Sequence, residues 1–174
     1  MRLVITGVPG SGKTTIAKSL AKRLKCEYID LNALAKRHAV LKKTGNEYEI
    51  NLPKLNRYLR VFLEGKTDFV LEGHLAAEIK IPCDLIVILR CNPFVLMKRL
   101  AKRKYRREKV VDNALAEAQD YFPIKVRENY GKKYLEVDST TRVGVENLLS
   151  FIKKGKSEKI NWKKELFALA SQGF

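Results

Sequence analysis

Apolar positions along the chain switch repeatedly between two periods. Leu3 to Thr6 is a short apolar run ending in a glycine-rich turn, the pattern of a buried strand. From Lys13 to Lys25, Ile16, Ala17, Leu20, Ala21 and Leu24 recur at helical spacing. Glu27 to Asp30 reads as a second short strand and Leu31 to Ala39 as a helix. Lys42 to Asn51 is polar and aperiodic and predicts a mobile loop. Leu52 to Glu64 places Leu55, Leu59, Phe62 and Leu63 on one side of a helix, with Gly65 as its expected C-cap.

Phe69 to Leu71 is a third strand, running into Glu72-Gly73-His74. Asp84 to Leu89 is a fourth, and its lack of alternation predicts burial on both faces. Pro93 opens a basic helix through Arg103. Lys109 to Glu128 reads as one long helix with a bend before Pro123. Tyr134 to Val137 is a fifth strand, and Val143 to Lys153 the last core helix. Strands separated by helices imply βαβ units, hence an α/β fold with a parallel sheet covered on both faces. Residues 155–174 form an appendage, basic from Lys156 to Lys164. Its Trp162, Leu166, Phe167 and Leu169 share one side of a helix. Such a helix either docks on the core or serves a partner.

At 174 residues the chain fits one domain and can bury a core without metal or disulfide staples. Thirty-five Lys and Arg against 19 Asp and Glu leave a net charge of +16. That surplus fits a polyanionic partner such as RNA or nucleotides, or simply high solubility. Cys26, Cys83 and Cys91 show neither CxxC nor zinc-finger spacing, which predicts a reducing, cytoplasmic setting. The longest apolar runs fall far short of the ~20 residues that span a bilayer, and the N-terminal stretch is too short for a signal-peptide core.

The strongest chemical signal is Gly7-Val8-Pro9-Gly10-Ser11-Gly12-Lys13-Thr14-Thr15, which matches G-x-x-x-x-G-K-[ST] between a predicted strand and a predicted helix. Backbone N–H groups of Gly10, Ser11 and Gly12 and the helix N-terminus suit phosphate oxygens. Lys13 would reach the β- and γ-phosphates. The Thr14 hydroxyl would ligate Mg²⁺, and Thr15 would donate to the α-phosphate.

Glu72, at the end of a neighbouring strand, suits Mg²⁺ or its water. His74 could orient or deprotonate a water, or serve as a structural loop-end histidine. Arg99 and Arg103 stand four apart on one helix face. Lys98 to Lys109 holds eight Lys or Arg and one acidic residue, Glu108. It reads as a solvated face or as a lid whose arginines close over triphosphate.

Together, the loop Gly7–Thr15, Glu72-Gly73-His74, Arg99-Leu100-Ala101-Lys102-Arg103 and Lys104 to Asn113 resemble the nucleoside monophosphate (NMP) kinases. The acidic-x-His strand end, Asn32-Ala33-Leu34-Ala35, and Arg103-Lys104-Tyr105 followed by Lys109, Asp112-Asn113 and Glu117 narrow this to the adenylate kinase isoenzyme 6 family. The resemblance covers residues 1–154. It implies a P-loop NTPase fold with a five-stranded parallel sheet, an NMP-binding part at about 30–53 and a short lid at about 102–112. It also implies phosphate transfer between ATP and an AMP-type acceptor, ATP hydrolysis, and a late step in small-ribosomal-subunit maturation. There the partners would be a platform ribosomal protein and pre-ribosomal RNA, with the chain a monomer or a heterodimer with its partner.

By the same resemblance Lys13, Glu72, His74, Arg99 and Arg103 are the expected catalytic set. Arg103 and Thr141 would contact ATP, the latter beside adenine, and Asp30, Lys36 and Arg37 the acceptor. Glu72 stands where the eukaryotic members have Asp, and Lys36 where an arginine is expected. Two other functions fit the residues alone. One is a small-molecule kinase for shikimate, gluconate or cytidylate. The other is a nucleotide-gated binding module for RNA or a ribosomal protein.

Overall fold

A computed structural model describes residues 1–44 and 47–171. The elements in chain order are β1 (Arg2–Thr6), α1 (Lys13–Leu24), β2 (Glu27–Asp30), α2 (Leu31–His38), β3 (Val40–Thr44), β4 (Glu47–Ile50) and α3 (Leu52–Phe62). They continue as β5 (Phe69–Glu72), β6 (Leu85–Arg90), α4 (Pro93–Lys102), α5 (Arg107–Ala118), α6 (Tyr121–Tyr130), β7 (Tyr134–Asp138), α7 (Val145–Lys154) and α8 (Lys163–Ser171). Five strands form one parallel sheet in the order β2-β5-β1-β6-β7. The expected α/β architecture is present. No helix among the described residues is long and apolar enough to cross a membrane.

Alternation along the strands feeds two apolar layers. Val4, Ile29, Leu71, Ile86 and Ile88 pack on one face with Leu55, Leu59, Leu96 and Leu100. Leu3, Ile5, Val70, Val87 and Leu89 pack on the other with Ile16, Leu20 and Leu148. This is why β1, β5 and β6 read as unbroken apolar runs. All five strands point the same way, so their C-terminal ends share one edge. The chain leaves β1 toward β2 on one side and later returns to β6 on the other, opening a crevice beside β1.

Four expectations are corrected. Where a loop is expected over Lys42 to Asn51, the described residues form strands: β3 and β4 make an antiparallel hairpin pairing Val40 with Ile50 and Lys42 with Glu49. Ladder hydrogen bonds hold it, and side-chain polarity does not report them; the connecting Gly45 and Asn46 lie outside the described residues. The helix expected over 109–128 is two helices, broken at Asp120, whose φ of 56° is left-handed. Pro123 sits in the first turn of α6, where a missing N–H costs nothing. Helix α3 stops at Phe62, and Gly65 turns the chain beyond it with φ 74°. Phe167 is 74% exposed and does not share the buried side of α8.

The C-terminal appendage docks on the core. Leu169 packs with Ala114 and Ala118 of α5, and Phe94, Met97, Leu115, Trp162 and Leu166 surround them. Beneath this layer lies a buried ion cluster. Arg90, 1% exposed, donates to Glu117, Asp120 and Glu136. Trp162 Nε1 donates to Glu117 Oε1 at 3.0 Å. Burial pushes the Glu117 carboxyl above its ordinary pKa, against the pull of Arg90.

Candidate active site

The turn after β1 is built by conformations that L side chains rarely adopt. Gly7 has φ 134°, and a Cβ there would sit 2.4 Å from the Leu89 carbonyl oxygen of β6. Gly10 has φ 90°, and its Cβ would press on Leu96 and Leu100. These two positions let the loop lie flat on the sheet edge and on α4. The loop then feeds directly into α1, whose first turn carries Lys13 and Thr14.

Lys13 is 7% exposed, and its Nζ donates to the Val8 carbonyl at 2.9 Å. Burial lowers its pKa to about 8; nearby Glu72 works against the shift and Arg103 with it. Thr14 Oγ1 donates to Glu72 Oε1 at 2.9 Å, and the Tyr28 hydroxyl donates to the same oxygen at 3.1 Å. Glu72 is 2% exposed, and its Oε2 is buried with no hydrogen-bond partner among the described residues. One carboxylate oxygen is thus fixed by two hydroxyls while the other is left open. That hard-oxygen set, Thr14 and Glu72, fits Mg²⁺, which usually takes few protein ligands and completes its shell with water and phosphate oxygens.

His74 opens a 3₁₀ turn, His74–Ala77, directly after β5 and Gly73. A Cβ on Gly73 would meet the Leu31 Cβ at 2.8 Å, so the strand end packs closely on α2. The imidazole is open to solvent on its cleft side. Desolvation by the cleft walls, then the charges of Lys13, Lys109 and Lys36, lower its pKa to about 4. It is therefore neutral at pH 7.

A cleft of about 720 Å³ brings Lys13, Thr14, Lys36, Glu72, His74 and Arg103 to one place. Across the phosphate loop lies a second hollow of about 510 Å³, lined by Ser11, Gly12, Thr15, Arg99, Ser139 and Thr141 among others. Gly10 and Gly12 border both, and so does Arg103. The loop therefore stands as a partition with a cationic side chain at its rim.

Three expected residues lie outside the 720 Å³ cleft. Asp30 is the N-cap of α2: its carboxylate accepts from the Ala33 N–H at 2.9 Å, and it does not line the cleft. A capping carboxylate is oriented toward the helix N–H groups rather than toward a ligand. Arg37 is exposed outside the cleft, whereas Lys36 one residue earlier lines it, one helical step of about 100° apart. Arg99 is not in the 720 Å³ cleft. Its guanidinium donates to the carbonyls of Gly10 (3.4 Å), Ser139 (3.0 Å) and Thr140 (2.8 Å), and to Cys91 Sγ.

Residues beyond the expected site set also reach the site: Tyr28 and Tyr48, and from the lid motif Tyr105 and Lys109. Tyr28 fixes Glu72, as described. Lys36 Nζ sits 4.9 Å from the centroid of the Tyr48 ring, and Tyr48, Tyr105 and Lys109 line the cleft. The signal for Tyr28 was alternation: it stands two before Asp30 on a strand that ends at the crevice. Tyr48 carries none, because the polar side chains of the hairpin have the pattern of a loop.

Three comparisons bear on this geometry. The family described as AAA domain matches residues 3–120. A protein of Thermococcus onnurineus is 33% identical over 171 residues, with 95% of this chain and 93% of that one covered. One from Methanocaldococcus jannaschii is 35% identical over 176 residues, covering 96% of each. Both carry the name "Putative adenylate kinase". Among solved structures, a gluconokinase from Sinorhizobium meliloti 1021 aligns at a TM-score of 0.59 and 16% identity. It covers 88% of this chain and 91% of that chain. At that identity the likeness shows the fold alone.

Proposed function

The chain belongs to the AAA-domain family of P-loop kinases, and on that premise we propose that it is an ATP:AMP-type phosphotransferase that also hydrolyses ATP. The single observation that carries the reading is the partition. Lys13 and the phosphate loop separate a hollow lined by Ser139 and Thr141, suited to the base of ATP, from a cleft holding Lys36, Glu72 and His74, suited to an acceptor.

In this reading, the Lys13 ammonium exchanges the Val8 carbonyl for the β- and γ-phosphates. The backbone N–H groups of the loop and the start of α1 hold the same oxygens. Glu72 and Thr14 would hold Mg²⁺, which supplies charge neutralisation to the phosphates when bound. Arg103, at the rim of both hollows, closes over the transferring group and stabilises charge spread over its oxygens. Lys36 holds the acceptor phosphate. Without an acceptor, neutral His74 orients a water in the cleft.

The test is ADP formation by the full chain with ATP and a panel of AMP, CMP, UMP, shikimate, gluconate or no acceptor. Stimulation by AMP above the acceptor-free rate supports the reading. Stimulation by a hydroxy acid alone transfers the site to the small-molecule kinases.

The finer placement we propose is with the isoenzyme 6 family, in late small-subunit maturation. The chain would handle a platform ribosomal protein beside pre-ribosomal RNA in the cytoplasm. Support comes from the resemblance and from the charge: residues 101–109 are all exposed, and six of these nine are basic. RNA binding should then weaken linearly in log affinity with log salt. A pull-down under ATP and under ADP that recovers neither ribosomal protein nor rRNA removes this placement and leaves the kinase reading standing.

A further inference from the structure

Hydrogen bonds around the start of α4 form an unbroken path from the C-terminal helix to the phosphate loop. Glu165 Oε1 in α8 accepts from Asn92 Nδ2 at 2.9 Å. The Asn92 N–H donates to Thr140 Oγ1 at 2.8 Å. Arg99 then ties the Ser139 and Thr140 carbonyls to the Gly10 carbonyl. Asn92 is also the N-cap of α4, accepting through Oδ1 from the Phe94 and Val95 N–H groups. One residue thus joins α8, the helix that carries Arg99 and ends at Arg103, and the loop after β7.

The segment leading to α8 is fastened along its length. Strand β7 is an edge of the sheet, and the tail covers that edge. Ser157 Oγ accepts from the Glu136 N–H, the Glu158 N–H donates to the Glu136 carbonyl, and Glu158 Oε2 accepts from the Asp138 N–H. Trp162 then anchors on Glu117, and α8 lies on α5 and the first turns of α4. The strap grips the base of the α4–α5 hairpin and leaves its tip, residues 101–109, exposed.

We propose that the strap, residues 157–171, positions the nucleotide-base loop at 139–144, with Glu165 as the positioning residue acting through Asn92 and Thr140. The inference rests on the nucleotide reading above. Ser139 is fixed to the Arg90 carbonyl and the Thr140 N–H to Asp138 at the root of the loop, whereas the Thr140 hydroxyl is the contact that ties it to Asn92 and so to α8; a preorganised loop lowers the ordering cost of binding. Losing the link therefore weakens ATP capture and leaves the chemical step, on Lys13, Glu72 and Arg103, in place.

The experiment measures ATP affinity by calorimetry, with kcat and KM for ATP and AMP, in the full-length chain. Glu165→Ala should raise KM for ATP about five- to tenfold, the loss of roughly one charge-assisted hydrogen bond. KM for AMP and kcat should stay within about twofold of wild type, because the interaction lost serves ground-state binding of ATP alone. Glu165→Gln should restore ATP affinity, since its amide oxygen still accepts from Asn92. Thr140→Val should reproduce the weaker ATP binding and Thr140→Ser restore it. The Glu165→Ala/Thr140→Val double variant should be no worse than the weaker single, because both cut one path. Unchanged ATP affinity in Glu165→Ala and Thr140→Val overturns the proposal, and so does a uniform loss across kcat and both KM values. Should Glu165→Ala fail to fold, the Thr140 pair decides alone. A wild-type chain that binds no ATP overturns the nucleotide reading itself, whereas ATP binding indifferent to both variants overturns only the strap's role.

Discussion

Thr14 Oγ1 and Glu72 Oε1 lie 2.9 Å apart although 58 residues separate them in the chain. Parallel pairing of β1 with β5 makes this meeting, since Ile5 stands opposite Glu72 and the loop after β1 returns over the same edge. Tyr28 closes the group from β2, on the other side of β5. Glu72→Gln keeps the volume and both hydroxyl partners while removing the charge. We expect Mg²⁺-dependent turnover to fall about 10²-fold, the scale of losing one preorganised charge contact. ATP affinity measured with EDTA should barely change.

Lys13→Ala should abolish transfer and hydrolysis together, by about 10²-fold or more. The buried ammonium, bonded to the Val8 carbonyl, is the cation the loop itself presents. A coupled assay showing turnover within threefold of wild type would refute the phosphate-loop assignment.

The lowered Lys13 pKa gives ATP binding a pH signature. In the free chain the ammonium loses its proton above about 8, and polyphosphate favours the protonated form. Binding between about pH 8 and 9.5 should therefore take up a proton, and affinity should fall as pH rises through that window. Calorimetry in buffers of different ionisation enthalpy measures the uptake. A Lys13→Met variant should show none. Lys13 also binds fewer protons folded than unfolded between about 8 and 10.5, so its effect on folding has the opposite sign: stability rises with pH there.

His74→Ala should depress hydrolysis more than transfer to AMP. Hydrolysis needs an oriented water, whereas transfer brings its own nucleophile. With its pKa near 4, the imidazole does not change charge between pH 6 and 8. The acceptor-free rate should show no histidine-type inflection in that range. Equal loss of both rates in His74→Ala points to a structural role.

Arg103→Ala should lower kcat by about 10²-fold or more and leave ATP affinity nearly intact, because a rim arginine that closes late acts mainly in the transition state. Arg103→Lys should not recover activity, since an ammonium lacks the planar fork. Affinity that collapses while kcat survives would make Arg103 a ground-state binding residue.

The sequence by itself determined the sheet, the phosphate loop and Glu72. Each rests on local order: an apolar strand, a glycine turn, a capped amphipathic helix, an acidic strand end. Such signals survive in one dimension because neighbouring residues create them. Tertiary structure alone decided the rest. Arg99, read with Arg103 from their four-residue spacing, went to backbone carbonyls of two separate loops, since α4 packs with that side chain against Gly10 and Ser139. The β3–β4 hairpin is polar and held by backbone pairing, which composition does not encode. The link from Glu165 through Asn92 to Thr140 spans three distant segments, and nothing in any one of them marks the other two. Periodicity reports which face of an element is buried; which distant polar groups then face one another follows from how the layers pack.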